Sequence, residues 1–252
     1  VNGRTSVSVG IALPSFVGDP EIPIRVARAA EEAGLDGVFA YDHVWRGDPP
    51  NRRPALECFA LLGAVAAETA HVALGPLVAR ATLRPPATLA NSLATVQRVS
   101  HGRLIAGIGA GDAQSRAENE AFGLDFGTLS DRLGALHDAV RASIGQGFPV
   151  WIGGRATQTR EIVAIADGWN AWGPPPDAFV REAALVREVA PNATFSWGGL
   201  ARPHEEGAGP LADRLRPYVD AGAGWVIIGP VDASDPTNAT VLGEVRALLR
   251  EE

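Results

Sequence analysis

Apolar and polar residues along this chain follow two alternating rhythms. Short apolar runs such as V-S-V-G-I-A-L (7–13) have the length and flanks of strands, whereas I-P-I-R-V-A-R-A-A-E-E-A-G (22–34) spaces its apolar residues as one face of a helix and stops on Gly34. Further strands are predicted over 37–43, 72–79, 103–109, 149–154, 168–173, 193–201 and 224–230. Helices are predicted between and after them, over 55–69, 86–100, 114–122, 130–145, 157–166, 176–190, 209–221 and 238–250. Strands alternating with helices imply a parallel sheet. Eight such units in 252 residues predict an α/β fold, a single (β/α)8 TIM barrel spanning 1–252. An open doubly wound sheet is the alternative. No long linker or low-complexity segment divides the chain.

Composition narrows the chemistry. A net charge of -7 argues against a nucleic-acid surface, which needs a basic stripe. No run of 18 apolar residues is present, so no membrane span is expected, and the alternating first residues do not form a secretory signal core. A cytoplasmic location is the expectation. Methionine is absent, which implies a trimmed first residue or an alternative start written as Val1. Cys58 is the only cysteine, so no intrachain disulfide can form. All 22 basic residues are arginine. A Schiff-base lysine and a P-loop lysine are thereby excluded, and any anion must be met by arginine, backbone N–H groups or helix N-termini.

Barrel active sites lie at the C-terminal ends of the strands, and three such ends stand out. Y-D-H-V-W (41–45) supplies Asp42 as a hydrogen-bond acceptor, His43 as a proton shuttle and Trp45 as a stacking surface. The plainer alternative makes Asp42 a turn cap and His43 a satisfied rim residue. G-I-G-A-G-D-A (107–113) places Gly109, Ala110, Gly111 and Asp112 at a strand end, where glycine allows close backbone approach to a ligand and Asp112 would point into the mouth. Its spacing is not that of a dinucleotide fingerprint. The alternative is that Gly107 and Gly109 fit a tight barrel interior. In W-I-G-G-R-A-T (151–157), Gly153 and Gly154 end a strand, and Arg155, Ala156 and Thr157 open a helix whose free N–H groups suit a phosphate. An ordinary strand-to-helix turn is the alternative there. The five histidines show no metal-ligand spacing, so no metal site is expected.

These segments together resemble the bacterial luciferase-like family of flavin- and deazaflavin-dependent oxidoreductases. The resemblance runs from about residue 7 to 173 and is densest over 74–112, where a strand, an Arg-Pro helix start, an S-x-G-R turn and the glycine loop come in the family's order. A-F-G (121–123), P-V-W-I-G-G (149–154), A-D-G-W-N-A-W (166–172) and Y-V-D-A-G-A-G-W-V-I-I-G-P (218–230) extend it. The resemblance implies a ring cofactor in the barrel mouth, a bulge with a non-proline cis peptide at Leu77–Val78 against one ring face, and Asp42 and His43 near the ring. It implies Trp45 as an aromatic wall, Asp112 as the acidic residue of the deazaflavin branch, and Gly153 to Thr157 as the phosphate loop. The segment from Arg132 to Pro149 is shorter than the family's usual excursion. The implied site is therefore more open, and the substrate class does not carry over.

The reading favoured is an oxidoreductase using coenzyme F-420 to move a hydride to or from a small organic substrate, with His43 as the proton group, Asp112 as its alternative and Asp42 orienting ring or substrate. An FMN-dependent monooxygenase and a non-catalytic flavin-binding barrel are the alternatives. Arg80, Arg84 and Arg155 are candidates for the acidic cofactor tail. A homodimer through helix 55–69 fits the resemblance; neither nucleic acid nor membrane is expected as a partner.

Overall fold

The computed structural model describes residues 6–47 and 51–251. Its barrel strands are β1 (Ser8–Ala12), β2 (Gly37–Ala40), β3 (Ala73–Pro76), β4 (Ala106–Gly109), β5 (Val150–Gly153), β6 (Gly168–Trp172), β7 (Thr194–Ala201) and β8 (Trp225–Pro230). The outer helices are α1 (Glu21–Glu32), α2 (Cys58–Glu68), α3 (Pro86–Val99), α4 (Leu129–Ser143), α5 (Ala156–Val163), α6 (Pro176–Val189), α7 (Ala208–Asp220) and α8 (Asn238–Arg250). The strands pair in parallel in the order β3-β2-β1-β8-β7-β6-β5-β4. The ladder then returns to the β3 segment, because Ala79–Arg80 pairs with Ile108 and Gly109. Lower down, the Leu74 N–H donates to Arg103 O and the Ile105 N–H to Leu74 O. The sheet is thus closed, as the (β/α)8 reading requires.

The period of two sorts the strand residues. Val9, Ile11, Val38, Ala40, Ile108, Val150, Ile152, Val226 and Ile228 join the helix-facing core. Residues one step along, Phe39, Ile105, Trp151 and Ile227, form a separate cluster on the barrel axis. Several inward positions are glycine because aromatic rings from nearby strands fill their space. A Cβ on Gly37 would lie 2.9 Å from the Trp225 ring, and one on Gly10 would lie 2.9 Å from the Phe39 ring. Gly75 is the tightest case: a Cβ there would collide with the carbonyl oxygen of Ile105 across the β3–β4 seam.

Some elements differ from their sequence expectation. The run 72–79 is two pieces, β3 proper and Ala79–Arg80, separated by a cis Leu77–Val78 peptide. The stretch 114–122 is a 3-10 turn over Ala113–Ser115 leading into a short helix, Arg116–Ala121. Helix α2 starts at Cys58 because the Glu57 carboxylate accepts the Ala60 N–H as its cap. An antiparallel ribbon pairs Trp45–Arg46 with Arg53–Pro54, and a one-turn helix spans Pro203–Glu206; elements this short carry no readable periodicity. Among the described residues no helix is long and apolar enough to cross a membrane.

The seam makes a direct prediction. Gly75→Ala should cost about 3 kcal/mol or more, since the colliding atom is backbone and cannot rotate away. Gly63→Ala in α2, where a Cβ meets nothing within 4 Å, should stabilise by about 0.5–1 kcal/mol. Thermal and urea unfolding of the two variants check both signs.

Candidate active site

β2 ends at Ala40, so Asp42 and His43 emerge at the C-terminal mouth. Asp42 is buried, at 4% exposure, and both its oxygens are committed. Arg84 grips it in a fork, Nη1 to Oδ2 at 2.6 Å and Nη2 to Oδ1 at 3.0 Å, and the Arg80 N–H donates to Oδ2 at 2.9 Å. Arg84 also reaches Glu57 at 2.8 Å. Burial works against the Arg84 charge, but Asp42 and Glu57 outweigh it and raise its pKa. Asp42, expected to orient a ring or substrate, has its carboxylate engaged by Arg84 and the Arg80 N–H, which braces the β2 end against the β3–α3 turn.

His43 is held differently. Its Nδ1 lies 2.8 Å from Glu118 Oε1 on the short helix Arg116–Ala121. The second oxygen of Glu118 accepts the Val44 N–H at 2.9 Å and Arg80 Nη2 at 2.6 Å. Arg80 is buried at 3% exposure and also donates from Nε to Asp42 O. Burial alone would raise the Glu118 pKa, yet His43, the Val44 N–H and Arg80 together hold it below the ordinary value. Burial lowers the Arg80 pKa against the pull of Glu118, Asp42 and Asp112. The His43 side chain is 30% exposed, and its Nε2 has no partner among the described residues. An imidazole fixed through one nitrogen with the other open is arranged to give or take a proton. Arg80 and Arg84, candidates for an anionic tail in the sequence, are thus both committed to carboxylates.

The β3 break and the glycine strand ends meet in the mouth. Val78 lies over two of them: a Cβ on Gly109 would sit 2.5 Å from Val78 Cγ2, and one on Gly153 would sit 2.5 Å from Val78 Cγ1. These two glycines make room for Val78, the tight-interior alternative. Leu77 is buried in the axial cluster, and Ala110 packs on the main core. Gly111 takes a positive φ of 75°, which turns the chain into the 3-10 turn. Asp112 is exposed, and its Oδ1 turns back to accept the Ser115 N–H at 3.0 Å and its hydroxyl at 2.9 Å. That cap replaces the expected carboxylate pointing into the mouth. Trp45 lies in the small ribbon, with the Arg52 guanidinium 4.0 Å over its ring.

At the β5 end, Gly154 takes φ 135° and Arg155 is the N-cap position of α5. Arg155 is exposed and has no side-chain partner among the described residues. The first N–H of the helix is not free as expected: Ala156 N–H donates to Glu182 Oε2 at 2.7 Å. Asp42, His43, Val44, Arg84, Phe122 and Leu124 line a cavity of about 330 Å³. Neither Gly109–Asp112 nor Gly153–Thr157 lines it. Among the described residues no group of three or more His, Cys, Asp or Glu side chains is placed to hold a metal ion.

Glu118 was not legible in the sequence, because its partner His43 lies 75 residues away. Its depressed pKa gives a signed prediction. The stabilisation is complete above the ordinary value of 4.5 and is lost as pH falls through the lower folded value. Glu118→Gln should therefore cost about 3 kcal/mol near neutrality. Its melting temperature should converge with that of the parent protein as acid protonates Glu118. Thermal unfolding across that range checks this, and a gap that stays constant would contradict it.

Comparison with known proteins agrees with this architecture. An F420-dependent glucose-6-phosphate dehydrogenase of Amycolatopsis mediterranei is 34% identical over 207 residues, which are 81% of this chain and 60% of that protein. The chain thus spans about three fifths of that curated relative's length. The structure of an F420-dependent secondary alcohol dehydrogenase superposes with a TM-score of 0.83 at 15% identity, covering 98% of this chain and 100% of that one. A coenzyme F420-dependent tetrahydromethanopterin reductase from Methanopyrus kandleri gives a TM-score of 0.73 at 15% identity, covering 94% of this chain and 97% of that one. Both structures share its fold. Residues 9–145 match the family model described as luciferase-like monooxygenase, and the chain belongs to that family.

Proposed function

We propose that this protein is an oxidoreductase that moves a hydride between coenzyme F-420 and a small organic substrate. The observation that carries the reading is His43, pinned at Nδ1 by Glu118 and open at Nε2, at the mouth of a barrel of this family. The F420-dependent names of the relatives support the choice of cofactor. The residues present fit such a group in part. Val78, seated over Gly109 and Gly153, offers an apolar platform for a flat ring. Arg155, without a partner, and the Thr157 N–H at the start of α5 suit a phosphate, whereas the Ala156 N–H is already held by Glu182.

When bound, the deazaflavin supplies a ring that accepts or returns a hydride. The rest falls to this chain. In alcohol oxidation the hydride leaves carbon with two electrons, and His43 Nε2 takes the proton of the neighbouring oxygen. Glu118 balances the imidazolium charge through Nδ1. Reduction of the carbonyl runs the same proton back. Asp42 and Arg84 act only as positioning residues.

Equilibrium binding of coenzyme F-420 and of FMN, read by fluorescence at two salt concentrations, tests the assignment. The deazaflavin should bind preferentially and more weakly at high salt. Arg155→Ala should weaken it about tenfold and flatten the salt dependence, and Glu182→Ala should tighten it. His43→Ala should keep the cofactor and lose roughly 100-fold or more in turnover. A preference for FMN, or no deazaflavin binding, would overturn the cofactor assignment.

A further inference from the structure

The side chains at the tops of β2, β6, β7 and β8 form a second constellation that the scheme above leaves unused. Tyr41 follows β2, Trp172 ends β6, Leu200 lies near the end of β7, and Val231 follows β8. Three of them converge on Gly229. A Cβ there would lie 2.8 Å from the Tyr41 Oη, 3.2 Å from Leu200 Cδ2 and 3.3 Å from Trp172 Cη2. Trp172 meets the Tyr41 ring edge-on, with centroids 5.8 Å apart at 83°. Phe16 stacks on Tyr41 at 5.9 Å and 22°, and it lies equally close, 5.9 Å, to the His43 ring. The aromatic quadrant is therefore continuous with the proton group.

This quadrant is apolar and open. Trp172 is 40% exposed, Leu200 53% and Val231 49%, high values for large apolar side chains, and all three stand on the mouth side. Such exposure is unfavourable in water unless something apolar covers it. The polar atom among them is the Tyr41 hydroxyl, which has no hydrogen-bond partner among the described residues. Burial pushes its pKa well above the ordinary value, against the pull of Arg46, so the phenol stays a donor. The nearby cations are engaged. Arg80 and Arg84 hold carboxylates, Arg202 pairs with Glu205 at 3.0 Å, and Arg46 lies 5.6 Å over the Phe16 ring. Of the arginines at the mouth Arg155 is uncommitted, and the proposed function gives it to the cofactor.

We propose that the mouth takes a neutral, ring-containing alcohol or ketone, its apolar body against Phe16, Trp172 and Leu200 and its oxygen on the Tyr41 hydroxyl. A sugar phosphate is disfavoured, because among the described residues the buried arginines at the mouth already hold carboxylates and Arg46 is drawn over the Phe16 ring. The inference rests on the oxidoreductase reading for its reaction and on these side chains for its ligand.

Saturation-transfer NMR tests it on the whole chain, with and without coenzyme F-420, using cyclohexanone, acetophenone, toluene and glucose 6-phosphate. The two ketones should bind and compete with each other. Tyr41→Phe should weaken both about tenfold and leave toluene unchanged, as loss of one hydrogen bond requires. The melting temperature of Tyr41→Phe should not fall, since the hydroxyl bonds to nothing in the described fold. Leu200→Ser should weaken ketones and toluene alike. Unchanged ketone binding in Tyr41→Phe, no ketone binding at all, or glucose 6-phosphate binding as tightly as the ketones would overturn the proposal. Ketone binding without deazaflavin binding would remove the cofactor assignment and leave this one standing; the converse result would do the reverse.

Discussion

A barrel of parallel strands must bring its last pairing back to its first, and here one segment serves both sides of that closure. The lower half, Ala73–Pro76, pairs with β2, while the upper half, Ala79–Arg80, pairs with β4. The offset between the halves shapes the whole mouth. It sets Val78 over the glycine ends of β4 and β5, and it turns Arg80 inward to where Asp42 and Glu118 meet it. The seam leaves no room for a side chain at Gly75, so the closure is fixed by backbone contact as well as by hydrogen bonds.

The mouth is then locked by charge. Asp42 and Glu118 are buried beside Arg80, with Arg84 partly covered. Burying such groups is costly unless every lone pair and proton is met, and here nearly every one is. The value of the arrangement is directional. The Arg84 fork holds the Asp42 carboxylate in a fixed plane, which a point-charge ammonium would not do, and Arg80 with the Val44 N–H fixes one oxygen of Glu118. The outcome is one imidazole whose orientation is set from behind and whose front is open.

The sequence made the barrel legible because its alternation is strong. Val38 and Ala40 face one way and Phe39 the other, and the same parity holds around the sheet. The bulge at Leu77–Val78 came from resemblance, not periodicity, whereas the phosphate reading of Gly153–Thr157 came first from a glycine strand end meeting a helix start. What stayed hidden was every pairing across long separation: His43 with Glu118, Asp42 with Arg84, Ala156 with Glu182. Single residues on surface-like helices carry no mark of such partners. The Asp112 cap was hidden for a related reason, since an Asp three residues before a Ser caps a turn as readily as it serves a ligand. The ribbon at Trp45 was invisible because two residues cannot show a period.

Glu182 has a kinetic consequence. Its carboxylate already sits on the first N–H of α5, so an anion bound there as proposed would exchange with a resident group and would not fill a vacancy. Departure would be assisted in the same way, because the carboxylate is tethered and would return as the visitor left. A site so built would trade residence time for turnover of its occupant, which would suit a carrier that must come and go between partners more than a group held for the life of the protein.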